Sequence, residues 1–264
     1  MDGDVVRGGF GDVRFETRNG MRVAVKTLHR EGCTTHHEAL LMSCLHHPYL
    51  PVLLSSTPHE IVMADLGHTS LTEVLQRDAF GRGAYDRIVW CVASALAYMH
   101  RNHVHHSDVK CDNVVVDAAG DAVLVDFNLS QHSPTGATST RCGSLSYACP
   151  EIHLNAPSWN AFAADVWSFA VLYFTVLYRH LPFDETYATY GRYVALQPYH
   201  GSLRSLRTVW ATPLVRKDVL ATHETALDAM MQPNPANRPA MAWVERALYY
   251  IRFQAPTSSS SSTA

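Results

Sequence analysis

The stretch HHSDVKCDNVVVDAAGDAVLVDFNLS, residues 105–130, sets Asp108, Lys110 and Asn113 in one polar cluster and Asp126 in a second. Between them lie two apolar runs, VVV at 114–116 and AVLV at 122–125, joined through Ala-Ala-Gly-Asp. Short β-branched runs that meet across a Gly-containing turn predict a hairpin. Folded that way, the runs bring Asp108, Asn113 and Asp126 to one place, which is a site in outline.

The rest of the chain bounds what that site can belong to. At 264 residues and 47% apolar composition the chain can build a sizeable core, as one large domain or two small lobes. A net charge of −3 and a pI near 6.6 leave no basic footprint for nucleic acid. Cys33, Cys44, Cys91, Cys111, Cys142 and Cys149 form no CxxC pair. Reduced thiols are therefore expected, and with them an intracellular setting, cytoplasmic or nuclear. The apolar stretch at 161–178 is interrupted by Asp165, which predicts a buried helix rather than a membrane span. Sixteen histidines recur as pairs at 36–37, 46–47 and 105–106, but with Cys33 and Cys44 they match no compact metal-ligand spacing. Residues 255–264 end in a low-complexity serine run and are expected to be disordered.

The chain has 18 arginines and three lysines, Lys26, Lys110 and Lys217. Arginine serves here wherever plain positive charge suffices, so the surviving lysines ask for a chemical reason. The same bias suits a viral or other GC-rich genome.

A β-rich lobe over 1–66 and a larger helical lobe over 67–254 are expected, linked near Ala64–Ser70. Strands are predicted in VVRGGFGDVRF and MRVAVKTL, joined at Asn19-Gly20, a strong hairpin signal. TTHHEALLMSCLHH predicts a helix capped by Thr34 or Thr35, with apolar positions 39, 40, 41, 42 and 45. YLPVLLS and EIVMAD read as further strands. The glycines of GGFGDV, 8–13, allow backbone N–H groups to approach an anion, although alone such a loop is equally an ordinary turn. Lys26 shares a strand face with Ala24 and needs an anion; Glu38 on the next helix can reach it, unless that carboxylate is simply exposed.

VAVK, Glu38, HSDVKCDN, DFN and SYACPE, in this order and at these spacings, resemble a eukaryotic protein kinase of the serine/threonine class, from about Val5 to Arg238. The resemblance implies an α+β, bilobal fold with a small β-rich N-lobe and a mainly helical C-lobe, using ATP and Mg²⁺. It implies Asp108 as catalytic base, Lys110 on the transferring phosphate, Lys26 held by Glu38 on phosphate oxygens, and Asn113 and Asp126 as metal ligands. Val6, Gly8, Gly9 and Gly11 would form the phosphate loop, Val13, Ala24 and Val115 would sandwich adenine, and Met63, Ala64 and Leu66 would lie on the linking strand. Met42, Leu53, His106 and Phe127 match an internal stack joining the lobes.

Further along, Cys149-Pro150-Glu151 closes an activation segment, Glu151 would pair with Arg238, Asp165 would tie back to the catalytic loop, and LPFD at 181–184 would turn after the central helix. Asp108-x-Lys110 and Ser144 look like the serine/threonine class, so the implied partners are proteins with Ser/Thr acceptors. No nucleic acid and no membrane is implied, and oligomeric state is left open.

Three positions depart from the pattern. Val6 replaces the first loop glycine and stiffens its entry. Asn128 stands for a glycine and is expected to supply a positive φ. Ser107 replaces the arginine that reads an activation-segment phosphate, so activity is expected not to depend on phosphorylation at Thr135, Thr138, Ser139 or Thr140. With few residues before the first strand, no regulatory domain is expected on this chain. A pseudokinase acting as a nucleotide-binding scaffold, and a small-molecule phosphotransferase, are the alternatives.

Overall fold

Asn19 and Gly20 take positive φ values of 52° and 79°, the two-residue turn whose twist matches that of the flanking strands. It joins β2 (Gly11–Arg18) to β3 (Met21–Leu28). With β1 (Val5–Arg7), β4 (Leu53–Ser56) and β5 (Glu60–Ala64) these make a five-stranded antiparallel sheet in the order β1-β2-β3-β5-β4. The computed structural model describes residues 5–7, 11–29, 35–78, 82–117, 120–182 and 221–254. Expectations for Gly8, Gly9, the Phe183-Asp184 end of LPFD and the 255–264 tail fall outside them.

Helix α1 (His36–Cys44) packs on the sheet through Ala39, Leu41 and Met42. Two details differ from expectation. Leu40 is 54% exposed, because a helix with polar residues at 36, 37, 43 and 44 buries only one stripe. Thr35 stands at the N-cap, but its hydroxyl donates to the Thr57 carbonyl rather than capping the helix. The YLPVLLS strand is also shorter than expected, starting at Leu53.

From Leu71 onward the described residues are mainly helical: α2 (Leu71–Arg77), α3 (Arg82–Arg101), α4 (Pro150–His153), α5 (Ala161–Tyr178), α6 (Ala221–Met230) and α7 (Met241–Gln254). Ser70 and Asn160 cap α2 and α5, their side chains accepting from the N–H of Glu73 and Ala163. α5 is long and apolar enough to span a membrane, yet two-thirds of it is buried inside the protein, and Trp167, Phe169 and Leu172 are fully enclosed. Core helices of folded domains show this same profile.

Three short pairs complete the helical part: β6 (Val104–His105) with β9 (Gln131–His132), β7 (Val114–Val116) with β8 (Ala122–Leu124), and β10 (Ala137–Thr138) with β11 (Trp159–Asn160). The β7–β8 pair is the hairpin expected from the opening stretch, in the register Val115↔Val123. The segment between α1 and β4 is moored to it where Leu124 N–H donates to Tyr49 O at 3.1 Å, and to α3 where His46 N–H donates to Tyr98 Oη at 3.1 Å.

Candidate active site

Between the sheet and the β7–β8 hairpin lies a cleft of about 490 Å³. Val6, Gly11, Val13, Ala24, Met63 and Ala64 line it from the sheet, Leu66 from the linking segment, which is not a strand because β5 ends at Ala64, and Lys110, Asn113, Val115 and Asp126 from the hairpin side. β3 and β5 pair as Ala24↔Met63, while β2 sets Val13 opposite Lys26. Gly11 is required by contact: a Cβ there would stand 2.4 Å from the Thr27 carbonyl oxygen of β3.

Lys26 is buried, and its ammonium donates to both Glu38 oxygens at 2.8 and 2.9 Å. It also donates to Asp126 Oδ1 at 2.7 Å, a partner the sequence did not reveal. Burial works to lower the Lys26 pKa, but the two carboxylates overcome it and hold the group above its ordinary value. Burial likewise works to raise Asp126, and Lys26 pulls that carboxyl below its ordinary value. Both groups are therefore charged at neutral pH. Glu38 additionally accepts the Phe127 N–H at 3.2 Å, which couples α1 to the segment carrying Asp126.

Asp108 is the most heavily hydrogen-bonded carboxylate of the site. Its Oδ1 accepts the Ser144 N–H at 2.9 Å and the Ser144 hydroxyl at 3.0 Å; its Oδ2 accepts Asn113 Nδ2 at 3.0 Å and lies 2.7 Å from Lys110 Nζ. Lys110 Nζ in turn donates to Ser144 Oγ at 2.9 Å. A hydroxyl thus sits on a carboxylate with an ammonium beside it. His106 holds this loop from behind, with Nδ1 accepting the Asp108 N–H at 3.2 Å and Nε2 donating to Val125 O at 3.1 Å.

The loop is anchored to α5 by Asp165, which accepts the N–H groups of His106 at 2.8 Å and Ser107 at 2.9 Å. Burial works to raise the Asp165 pKa, but the hydrogen bond with His100 at 3.0 Å holds it down. The anchor is an ionised carboxylate, and it fixes Ser107 at a φ of 70°. Of the expected lobe-joining stack, Met42, His106 and Phe127 are buried, with the His106 and Phe127 rings 5.6 Å apart, and Leu53 packs against the same core.

Asn128 departs from expectation. The positive φ in this turn, 72°, belongs to Asp126, and Asn128 instead donates its Nδ2 to Asp126 Oδ1 at 2.8 Å. Asparagine here steadies a carboxylate rather than serving as a glycine substitute.

The donor set fits a hard cation. Asn113 turns its Nδ2 to Asp108, which leaves its amide oxygen and the Asp126 carboxylate, both lining the cleft, as the pair of hard donors. Among the described residues no cluster of three His, Cys, Asp or Glu side chains could cage a metal. Two oxygen donors suit a cation that takes its remaining ligands from phosphate and water. The five described cysteines are unpaired thiols.

The family model described as the protein kinase domain matches residues 3–249. Among curated proteins, Aurora kinase of Schizosaccharomyces pombe is 26% identical over 265 residues, covering 94% of this chain and 70% of that protein. Protein kinase kin1 of the same organism is 31% identical over 157 residues, 57% of this chain and 18% of its own length. CBL-interacting serine/threonine-protein kinase 9 of Arabidopsis thaliana is 31% identical over 196 residues, 67% of this chain and 44% of that protein. Except for Aurora kinase, the chain spans less than half the length of these relatives. With a family match across nearly its whole length, and a sheet-bearing part set against a helical part around the cleft, the chain belongs to the protein kinase domain family.

Proposed function

We propose that the chain is a serine/threonine protein kinase, transferring the γ-phosphate of ATP to hydroxyls of protein substrates. The observation that carries this reading is the Ser144 hydroxyl seated on Asp108 Oδ1 with Lys110 Nζ at its oxygen. The same base and cation can receive a substrate hydroxyl. Asp108 accepts the hydroxyl proton, while Lys110 stands ready for charge on the transferring phosphate. Lys26, steadied by Glu38, directs its ammonium to phosphate oxygens, and the apolar faces of Val13, Ala24 and Val115 take the adenine. Backbone groups of Ala64 and Leu66 serve the base edge. Asn113 and Asp126 would hold Mg²⁺, which when bound neutralises phosphate charge. Unpaired thiols support an intracellular place of action, cytoplasmic or nuclear.

The test is label transfer from γ-labelled ATP to a mixed protein substrate, followed by identification of the labelled amino acid. Asp108→Asn is expected to lower transfer roughly 10²- to 10⁴-fold, the range for a lost general base. Label on serine and threonine, lost in the variant, supports the reading. A silent wild type that still binds a fluorescent ATP analogue identifies a pseudokinase, and label on small alcohols but not on protein identifies a small-molecule phosphotransferase.

Two further results are expected. Phosphatase treatment should leave the rate unchanged, because Ser107 offers no cation to a phosphate on Thr138 or Thr140; loss of activity that returns with an acidic substitution at either threonine contradicts this. Gly143 has a φ of 88°, and a Cβ there would stand 2.4 Å from the Ser107 carbonyl oxygen. Gly143→Ala should therefore push Ser144 off Asp108 and lower kcat about tenfold or more, with nucleotide affinity unchanged in a fluorescence titration.

A further inference from the structure

His105 is 2% exposed, and its Nε2 meets no hydrogen-bond partner among the described residues. Its Nδ1 lies 2.6 Å from Ser107 Oγ. A proton on Nε2 would strand a buried N–H, so the ring proton belongs on Nδ1, which donates to Ser107 Oγ. The Ser107 hydroxyl proton is then directed onward. Burial pushes the Cys142 thiol up and keeps it protonated, while a hydrogen bond from Ser107 to its sulfur works the other way. The thiol in turn donates to the Thr140 carbonyl at 3.7 Å.

Donors therefore run from His105 to Ser107 and from Cys142 to Thr140, with the Ser107 hydroxyl acting on the Cys142 thiol between them. The next two residues of the same segment meet the catalytic loop as well. Gly143 lies against the Ser107 carbonyl, and Ser144 gives both its N–H and its hydroxyl to Asp108. Ser107 is held in a left-handed conformation by Asp165, so its hydroxyl has a fixed origin from which to act.

We infer that His105 is a positioning residue: by fixing the Ser107 hydroxyl, it holds the 140–144 segment in register on the catalytic loop and so sets Ser144 on Asp108. The inference rests on Asp108 being the base. Its consequence is that a neutral side-chain relay aligns the segment, and the side chain at 105 matters for a donor at the Nδ1 position, not for its volume.

The test compares steady-state kcat and KM for ATP in wild type, His105→Leu, His105→Asn, Ser107→Ala and the His105→Leu/Ser107→Ala double variant. Leucine fills the space without a donor, whereas the asparagine amide places an N–H near the Nδ1 position. His105→Leu should lower kcat about tenfold at unchanged KM for ATP, and His105→Asn should recover most of the loss. The double variant should fall no further than His105→Leu, because both changes cut one chain. Equal loss in Leu and Asn, full activity in Leu, or additive losses in the double variant each overturns the inference. If His105→Leu melts below the assay temperature, His105→Gln replaces it, since its amide reaches the Nε2 position; activity equal to His105→Asn then overturns the idea. Asp108→Asn runs alongside. A wild type that transfers no phosphate removes the base assignment and this inference together, whereas an active wild type with a silent Asp108→Asn and an unimpaired His105→Leu removes the inference alone.

Discussion

Lys26→Met is expected to abolish phosphoryl transfer and to lower unfolding stability by about 3–5 kcal/mol at neutral pH, the cost of leaving buried charge without its partner. The ammonium is shared by Glu38 and Asp126 at 2.7–2.9 Å, and methionine supplies length without charge. The raised Lys26 pKa means that its contribution is complete below about 10.5 and is lost only as pH rises through the folded value. The lowered Asp126 pKa means that its contribution is present above about 3.8 and is lost as pH falls through the folded value. The wild-type cluster therefore stabilises across the whole span between those limits. In the variant, Asp126 keeps its burial and loses its cation, so its pKa moves up and protonation relieves the strain. Urea unfolding at neutral pH and again near the ordinary carboxylate pKa checks this: the deficit should shrink on acidification. A deficit of equal size at both would mean that Lys26 acts through packing alone.

The parts of this arrangement that were legible in the sequence are those set by local rules. Period-two apolar runs around Asn19-Gly20 and Gly120 gave the two hairpins, because strand alternation and turn chemistry act over a few residues. Lys26 pointed to Glu38 because an ammonium among valines must find an anion, and the next helix held one. The third member, Asp126, lies 100 residues away, and nothing in its neighbourhood distinguishes a metal ligand from an ion-pair partner. Backbone conformation was also hidden. Tertiary anchoring puts Ser107 and Asp126 at positive φ, where intrinsic preference pointed to Asn128. The contact of His105 with Ser107 had no local sign at all, since a histidine in a β-strand reads as an ordinary core residue.

Arg238→Leu is expected to destabilise by about 3–5 kcal/mol while leaving the cleft chemistry in place. The guanidinium is fully enclosed and donates to both Glu151 oxygens, at 2.9 and 2.6 Å. It also donates to the carbonyls of Gln232 at 2.8 Å, Ala163 at 3.0 Å and Pro233 at 3.1 Å, and lies 5.1 Å from the centre of the Trp167 ring. One side chain therefore ties the end of the activation segment, the first turn of α5 and the loop before α7. Leucine keeps the apolar contact with Trp167 but strands a carboxylate and three carbonyls. The magnitude measures that stranding and not the worth of the pair, because two desolvated charges recover little net energy when both are present. Glu151→Gln/Arg238→Leu should accordingly recover part of the loss, since the stranded charge is gone. A chain of this length should lose roughly 10 °C in Tm for the single variant, read by calorimetry. A shift under about 2 °C would mean that solvent reaches Glu151 once the arginine is removed, and that the three segments are held by the surrounding apolar core instead.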